Sequence, residues 1–191
     1  MAKRKPTYHR FRVVAGDLKG KIISAPDLGV TRPPLTRLRK AIFDFLNPYI
    51  QHRSYLDLFS GTGSYLFEAV SRGAAMAVGV EMEPVLADAI NDQARECGVQ
   101  DRLVCLCDDV FDAIPKLKTQ QKTFDIIMIA PPQYKGMIDE TLRSIKEDDV
   151  TGEDTLIICQ HDTSETKKID FLDYQIWQRR KYGNTTFTIL K

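Results

Sequence analysis

The chain has 191 residues and a mass of 21.7 kDa, with 43% hydrophobic and 28% charged residues. That suffices for one globular domain whose core needs no disulfide or metal staple. Lys and Arg number 27 against 26 Asp and Glu, and a net charge of +1 taken alone argues against a nucleic-acid protein.

The distribution of charge reads differently from its sum. Residues 1–53 hold 12 Lys/Arg against Asp17, Asp27 and Asp44, a net of +9. Residues 54–191 hold 15 Lys/Arg against 23 acids, a net of −8. A basic head on an acidic body fits a head that meets a polyanion, and it equally fits a solvated basic tail. Cys97, Cys105, Cys107 and Cys159 form no C-x-x-C pair, and His9, His52 and His161 are scattered. Reduced thiols and no metal site are expected. The opening MAKRKPTYHR has no apolar run and no stretch reaches transmembrane length, so a soluble, cytoplasmic monomer with no membrane partner is expected.

In chain order, residues 10–25 predict a hairpin, with Phe11, Val13, Ile22 and Ile23 flanking the turn Gly16–Gly20. Thr31-Arg32-Pro33-Pro34 then opens a helix in which Leu35, Leu38, Ile42 and Phe45 recur at helical spacing, and Asn47-Pro48 ends it. Arg37, Lys40 and Asp44, with Arg39 nearby, predict a cationic opposite face. From residue 54 strands alternate with helices. Strands are predicted at 54–59, 76–81, 103–107, 124–129 and 155–160, with helices over 64–72 and from Pro84 to a cap at Gly98. Apolar strands between helices mean an α/β fold with a parallel sheet covered on both faces. The last strands, 174–179 and 185–190, flank Lys181-Tyr182-Gly183-Asn184 and predict an antiparallel hairpin closing the sheet.

The segment Asp57-Leu58-Phe59-Ser60-Gly61-Thr62-Gly63 follows the first of these strands and opens a helix, where an open α/β sheet binds ligands. A lone G-x-G is also a tight strand-to-helix turn. Leu66 stands where the third glycine of a dinucleotide fingerprint would fall. Asp57 would repel a pyrophosphate and suits a ligand bearing an ammonium group. Glu81, at the end of the next strand, is placed to accept from ribose hydroxyls. Asp108 and Asp109, at the end of the third strand, are placed to accept from an exocyclic amine. Adenosine with an amino-acid tail fits all three. A dinucleotide-dependent oxidoreductase is the reading from another class, against which Asp57 and Leu66 count.

These motifs resemble the cofactor signature of class I methyltransferases, with their Rossmann-like sheet. The resemblance implies S-adenosylmethionine held by Asp57, Phe59, Ser60, Gly61, Thr62 and Gly63 at its methionine end. It implies Glu81 and Met82 at the ribose, and Asp108, Asp109 and Val110 at the adenine. Arg12-Val13-Val14-Ala15-Gly16, Lys19-Gly20-Lys21, Thr31-Arg32-Pro33, Arg37-x-Arg39-x-Ala41-x-Phe43 and Lys181-Tyr182-Gly183-Asn184-Thr185 are similar to motifs of the bacterial 16S ribosomal RNA guanine-N2 methyltransferases. That implies 16S rRNA in the small ribosomal subunit as partner. Residues 1–50 would then form an RNA-gripping extension through Arg10, Arg12, Lys19, Lys21, Arg32, Arg37 and Arg39, and residues 51–191 the methyltransferase domain.

The family carries Asp/Asn-Pro-Pro-aromatic after its fourth strand; here stand Ala130-Pro131-Pro132-Gln133-Tyr134. A side-chain acceptor and a backbone carbonyl normally take the two N–H groups of the target amine, aiming its lone pair at the methyl carbon. Three readings follow. Gln133 replaces the acceptor and Tyr134 the stacking ring; or catalysis is weakened or lost and the protein is a cofactor-binding rRNA-binding module; or the acceptor differs.

Overall fold

The computed structural model describes residues 7–29 and 36–191. Strands β1 (Tyr8–Arg12) and β2 (Ile22–Pro26) pair antiparallel with Phe11 opposite Ile23. The main sheet has seven strands: β3 (Ser54–Asp57), β4 (Met76–Glu81), β5 (Leu103–Cys107), β6 (Phe124–Ile129), β7 (Thr151–Asp162), β8 (Ile176–Tyr182) and β9 (Thr185–Leu190). Their order is β5-β4-β3-β6-β7-β9-β8, parallel from β5 to β7, with β9 antiparallel to both neighbours. The helices are α1 (Thr36–Ile50), α2 (Ser64–Ser71), α3 (Pro84–Glu96), α4 (Val110–Thr119) and α5 (Met137–Asp148). The expected α/β fold with a mostly parallel, Rossmann-like sheet is what forms.

Alternation along each strand divides the core. Ile126 and Met128 of β6 face α1, α2 and α3, whereas Ile127 and Ile129 face α4 and α5. The chain leaves β3 towards β4 and β5, then crosses back to β6 on the other side of β3. That reversal puts a crevice at the carboxyl ends of β3 and its neighbours. Among the described residues, no helix is long and apolar enough to cross a membrane.

Several boundaries differ from the sequence reading, and β7, expected at 155–160, runs from Thr151 to Asp162. Helix α1 continues through Pro48 to Ile50, because the hydrogen bond that proline forfeits falls in the last turn and Ile50 is buried beside Leu46. The opening of that helix, residues 31–35, lies outside the described residues. Strand β3 stops at Asp57, where the glycine loop begins to turn. Lys181 and Tyr182 belong to β8, paired with Thr186 and Thr185, so Gly183 and Asn184 alone make the closing turn.

The head is fastened to the body through Glu68 of α2, which has no exposed surface. Its carboxylate accepts from the Val14 and Ala15 amides (3.0 and 3.2 Å) and from Arg72 Nε (2.9 Å). Arg39 Nε lies 3.4 Å away, and the Arg39 guanidinium sits 5.1 Å above the Phe11 ring and donates to the Arg12 carbonyl. Burial lowers the Arg39 pKa, and the Glu68 carboxylate pulls it back up. Arg39 is therefore a correction to the expected RNA grip: it is wholly buried and holds β1 and α1 onto α2.

Removing one partner of a buried charge cluster leaves the others unpaired, which costs about 3–5 kcal/mol. Glu68→Ala is expected to lower the urea unfolding midpoint accordingly; an unchanged midpoint would contradict this role.

Candidate functional site

The crevice encloses about 590 Å³, the size that takes a nucleoside-like ligand. The glycine loop forms one side of it. Gly63 has φ +74°, and a Cβ there would stand 2.8 Å from Ile90 Cγ1 of α3. The chain can turn this sharply against α3 only with glycine at that position.

The close strand-to-helix contact that a third glycine gives in dinucleotide folds is made from the strand instead. Gly79 of β4 lies beneath the loop, where a Cβ would meet Leu66 Cδ1 and Ser60 Oγ at 2.5 Å each. A leucine on the helix is thus accommodated by a glycine on the strand. The sequence reading noted Leu66 and missed its counterpart.

Phe59, Gly61, Glu81, Met82, Asp108, Asp109 and Val110 line the crevice. Asp57, Ser60, Thr62 and Gly63 are buried behind it. Asp57 is wholly buried; its Oδ1 accepts from the Phe59 amide at 3.4 Å, while Oδ2 has no hydrogen-bond partner among the described residues. Burial, with the nearby Glu81 charge adding to it, pushes the Asp57 pKa up to about 7. Thr62 Oγ1 is likewise buried without a partner.

Glu81 is fixed from both sides, Oε2 accepting from the Gly61 amide (2.7 Å) and Oε1 from the Glu83 amide (2.9 Å). Each oxygen keeps a lone pair for a ligand hydroxyl. Burial raises its pKa against those hydrogen bonds. At the end of β5, Asp109 caps α4 by accepting from the Phe111 amide (2.8 Å), and Asp108 pairs with Lys116. Both acids thus have local structural partners as well as a place on the crevice wall.

Ala130, Pro131, Pro132 and Gln133 line the opposite wall. Tyr134 is not brought there. Its backbone has φ +61°, its amide donates to Glu165 Oε1 at 3.0 Å, and two-thirds of its surface is exposed beside a neighbouring shallow recess. Gln160 of β7, which the sequence reading passed over, does line the crevice.

The expected cationic grip is spread out. The Gly16–Gly20 turn packs on Ser71 at the far end of α2, and Lys21 neighbours Cys97 at the end of α3. Arg12, Lys19 and Lys21 therefore sit at the end of the molecule away from the crevice. Arg32 lies outside the described residues. Arg10 and Arg37 are exposed. Arg180 of β8 lies 4.4 Å over the Phe45 ring, and Trp177 packs on Tyr49, so α1 runs antiparallel to β8 with Arg37 towards the crevice edge. Arg180 faces α1, whereas Arg179 lies 5.7 Å over the Phe171 ring on the other face of the sheet. Neither of these two nor Lys181 has a carboxylate partner among the described residues. Averaging over the acidic body had hidden them.

The family model described as "Conserved hypothetical protein 95" matches residues 11–191. The chain is 28% identical to the ribosomal RNA small subunit methyltransferase D of Buchnera aphidicola subsp. Acyrthosiphon pisum, over 72% of this chain and 70% of that one. It is 25% identical to the protein of the same description from Escherichia coli K12, over 82% and 79%. Its fold matches that of an RNA methyltransferase from Salinibacter ruber solved with S-adenosyl-L-homocysteine, with TM-score 0.64 and 18% identity over 83% and 92% of the two chains.

Overpacking the loop's platform tests its geometry. Gly79→Ala is expected to cost about 1–3 kcal/mol in thermal denaturation. Adding Leu66→Ala, which removes one of the two clashes, should leave the pair less destabilised than the two single changes summed; strict additivity would contradict the proposed contact.

Proposed function

The chain belongs to the Conserved hypothetical protein 95 family, and from that premise we propose that it methylates a guanine of 16S rRNA, at the exocyclic N2 amine, using S-adenosylmethionine. The observation that carries this reading is the unpartnered Asp57 Oδ2, buried at the glycine loop of a crevice of nucleoside size. A buried carboxylate with a free oxygen is costly unless a cation meets it. The ammonium of a methionine tail supplies that cation, whereas a pyrophosphate would be repelled.

Asp57 with Thr62 would hold the amino-acid end, Glu81 and Met82 the ribose, and the wall of Asp109 and Val110 the adenine. When bound, the cofactor supplies a methyl group on a sulfonium, already electrophilic. What remains for the chain is to place the amine and exclude water. Pro131 and Pro132 stiffen the facing wall, and Gln133 stands at its rim.

Arg10, Arg37 and Arg180 would grip phosphates around the splayed base, and Arg12, Lys19 and Lys21 a more distant stretch of the same RNA. Ala130 favours a second reading, a cofactor-binding rRNA module without turnover, because the side-chain acceptor of the family motif is gone.

Titration calorimetry with S-adenosylmethionine tests the cofactor site. Below about pH 7 the free protein holds Asp57 protonated, whereas the complex needs it ionised against the ammonium, so binding releases a proton. The Kd is expected to tighten about tenfold per pH unit up to about 7 and then level off. Asp57→Asn should abolish the tightening, and NAD should not bind. Absence of S-adenosylmethionine binding would overturn the reading. Transfer of radiolabelled methyl groups to unmodified 30S subunits then separates enzyme from binding module.

A further inference from the structure

Strands β6 and β7 run parallel with Ile129 paired to Cys159, so the next residues outward, Ala130 and Gln160, are neighbours where both strands reach the crevice. Met128 and Ile158, two residues before each, lie in the core cluster on the α1–α3 side of the sheet. Ala130 and Gln160 therefore project to the same side, and both line the crevice. The position that has lost its acceptor stands beside one that carries a carboxamide.

That carboxamide is held in place. The Tyr65 hydroxyl donates to Gln160 Oε1 at 2.5 Å. Tyr65 is in the first turn of α2, directly after the glycine loop, and its ring packs on Phe43 with centroids 6.0 Å apart. Burial pushes the phenol's pKa well above its ordinary value, so it remains a donor throughout the working pH range. A carbonyl oxygen accepts twice. Oε1 keeps one lone pair, and it belongs to a group that the loop itself orients.

We propose that Gln160 is the catalytic residue that accepts an N–H of the target base's exocyclic amine, with Tyr65 as its positioning residue, in place of the side chain missing at Ala130. This rests on the methyltransferase reading above. The amine's lone pair forms the new N–C bond as the C–S bond breaks with its electron pair staying on sulfur, and the displaced N–H proton leaves to water. Gln160 takes no proton; it fixes the amine so that the lone pair points at the methyl carbon. An acceptor relocated to the next strand keeps the geometry and explains why alanine is tolerated in the motif.

Single-turnover methyl transfer to unmodified 30S subunits tests this, with calorimetry of S-adenosylmethionine and filter binding of the RNA run on each variant. Gln160→Ala is expected to slow transfer about 100-fold, the scale of a misplaced reacting group, with both affinities unchanged. Gln160→Glu, which keeps an acceptor at the same place, should retain most of the rate. Tyr65→Phe should slow it less than Gln160→Ala, and Gln133→Ala less still.

The decisive variant is Ala130→Asn in the Gln160→Ala background, which should recover the rate. A merely structural role for Gln160 would not be rescued that way. An unchanged rate in Gln160→Ala, or no recovery in the double variant, overturns the proposal. So does an unaltered chain that binds S-adenosylmethionine but transfers no methyl group, an outcome that leaves the cofactor site standing. A chain that binds no S-adenosylmethionine overturns the methyltransferase reading as well.

Discussion

Glu68 is a carboxylate without solvent, and the attachment of the head to the body depends on its being fully satisfied. The amides of Val14 and Ala15, the guanidinium of Arg72 and the charge of Arg39 surround it. The four partners come from three stretches of chain: the segment after β1, α1 and the C-cap of α2. A buried acid with fewer partners would favour unfolding, so Glu68 holds these segments together alongside the Ser71 bonds to Asp17 and Leu18 and the Gln93 bond to Ser24. The same contact keeps α2 seated, and α2 begins at the glycine loop and carries Tyr65. The head therefore helps position the crevice as well as extending the surface around it.

This shifts the meaning of the charge asymmetry. Part of the +9 head is structural, since Arg39 is consumed inside the protein. Part of the −8 body is ligand chemistry in the proposed reading, in Asp57 and Glu81, and that body also contains the cations of β8. Neither a whole-chain charge nor a split at one residue captures a surface assembled from both ends of the chain.

The sheet, its switch point and the glycine loop were legible in the sequence because alternation, apolar runs and turn residues act locally. The positions of Asp57 and Glu81 at the crevice were legible because they sit at strand ends next to that loop. Arg39 falls at helical spacing on the apolar stripe with Leu38, Ile42 and Leu46, so its burial was open to the sequence and its charge obscured it. What the sequence did not show was the tertiary partner Glu68 that makes the burial tolerable. Gly79 and Gln160 were missed for a related reason. Each matters through a neighbour on another element, Leu66 in one case and Ala130 in the other, and nothing in its own segment marks it. Tyr134 was placed at the base by its spacing in the motif, but its left-handed backbone and the Glu165 contact turn it to the neighbouring recess.

What unites the site is that the residues on its two walls divide the work. In the proposed reading the glycine loop side would meet the cofactor with Asp57, ionised in the complex, and the β6–β7 side would meet the base with a carboxamide held from α2. The most direct test of that account is mass mapping of 16S rRNA from otherwise identical cells with and without this chain. A single guanosine that carries a methyl group only when the chain is present is the predicted result. Identical methylation maps, with the purified protein binding S-adenosylmethionine, would contradict it.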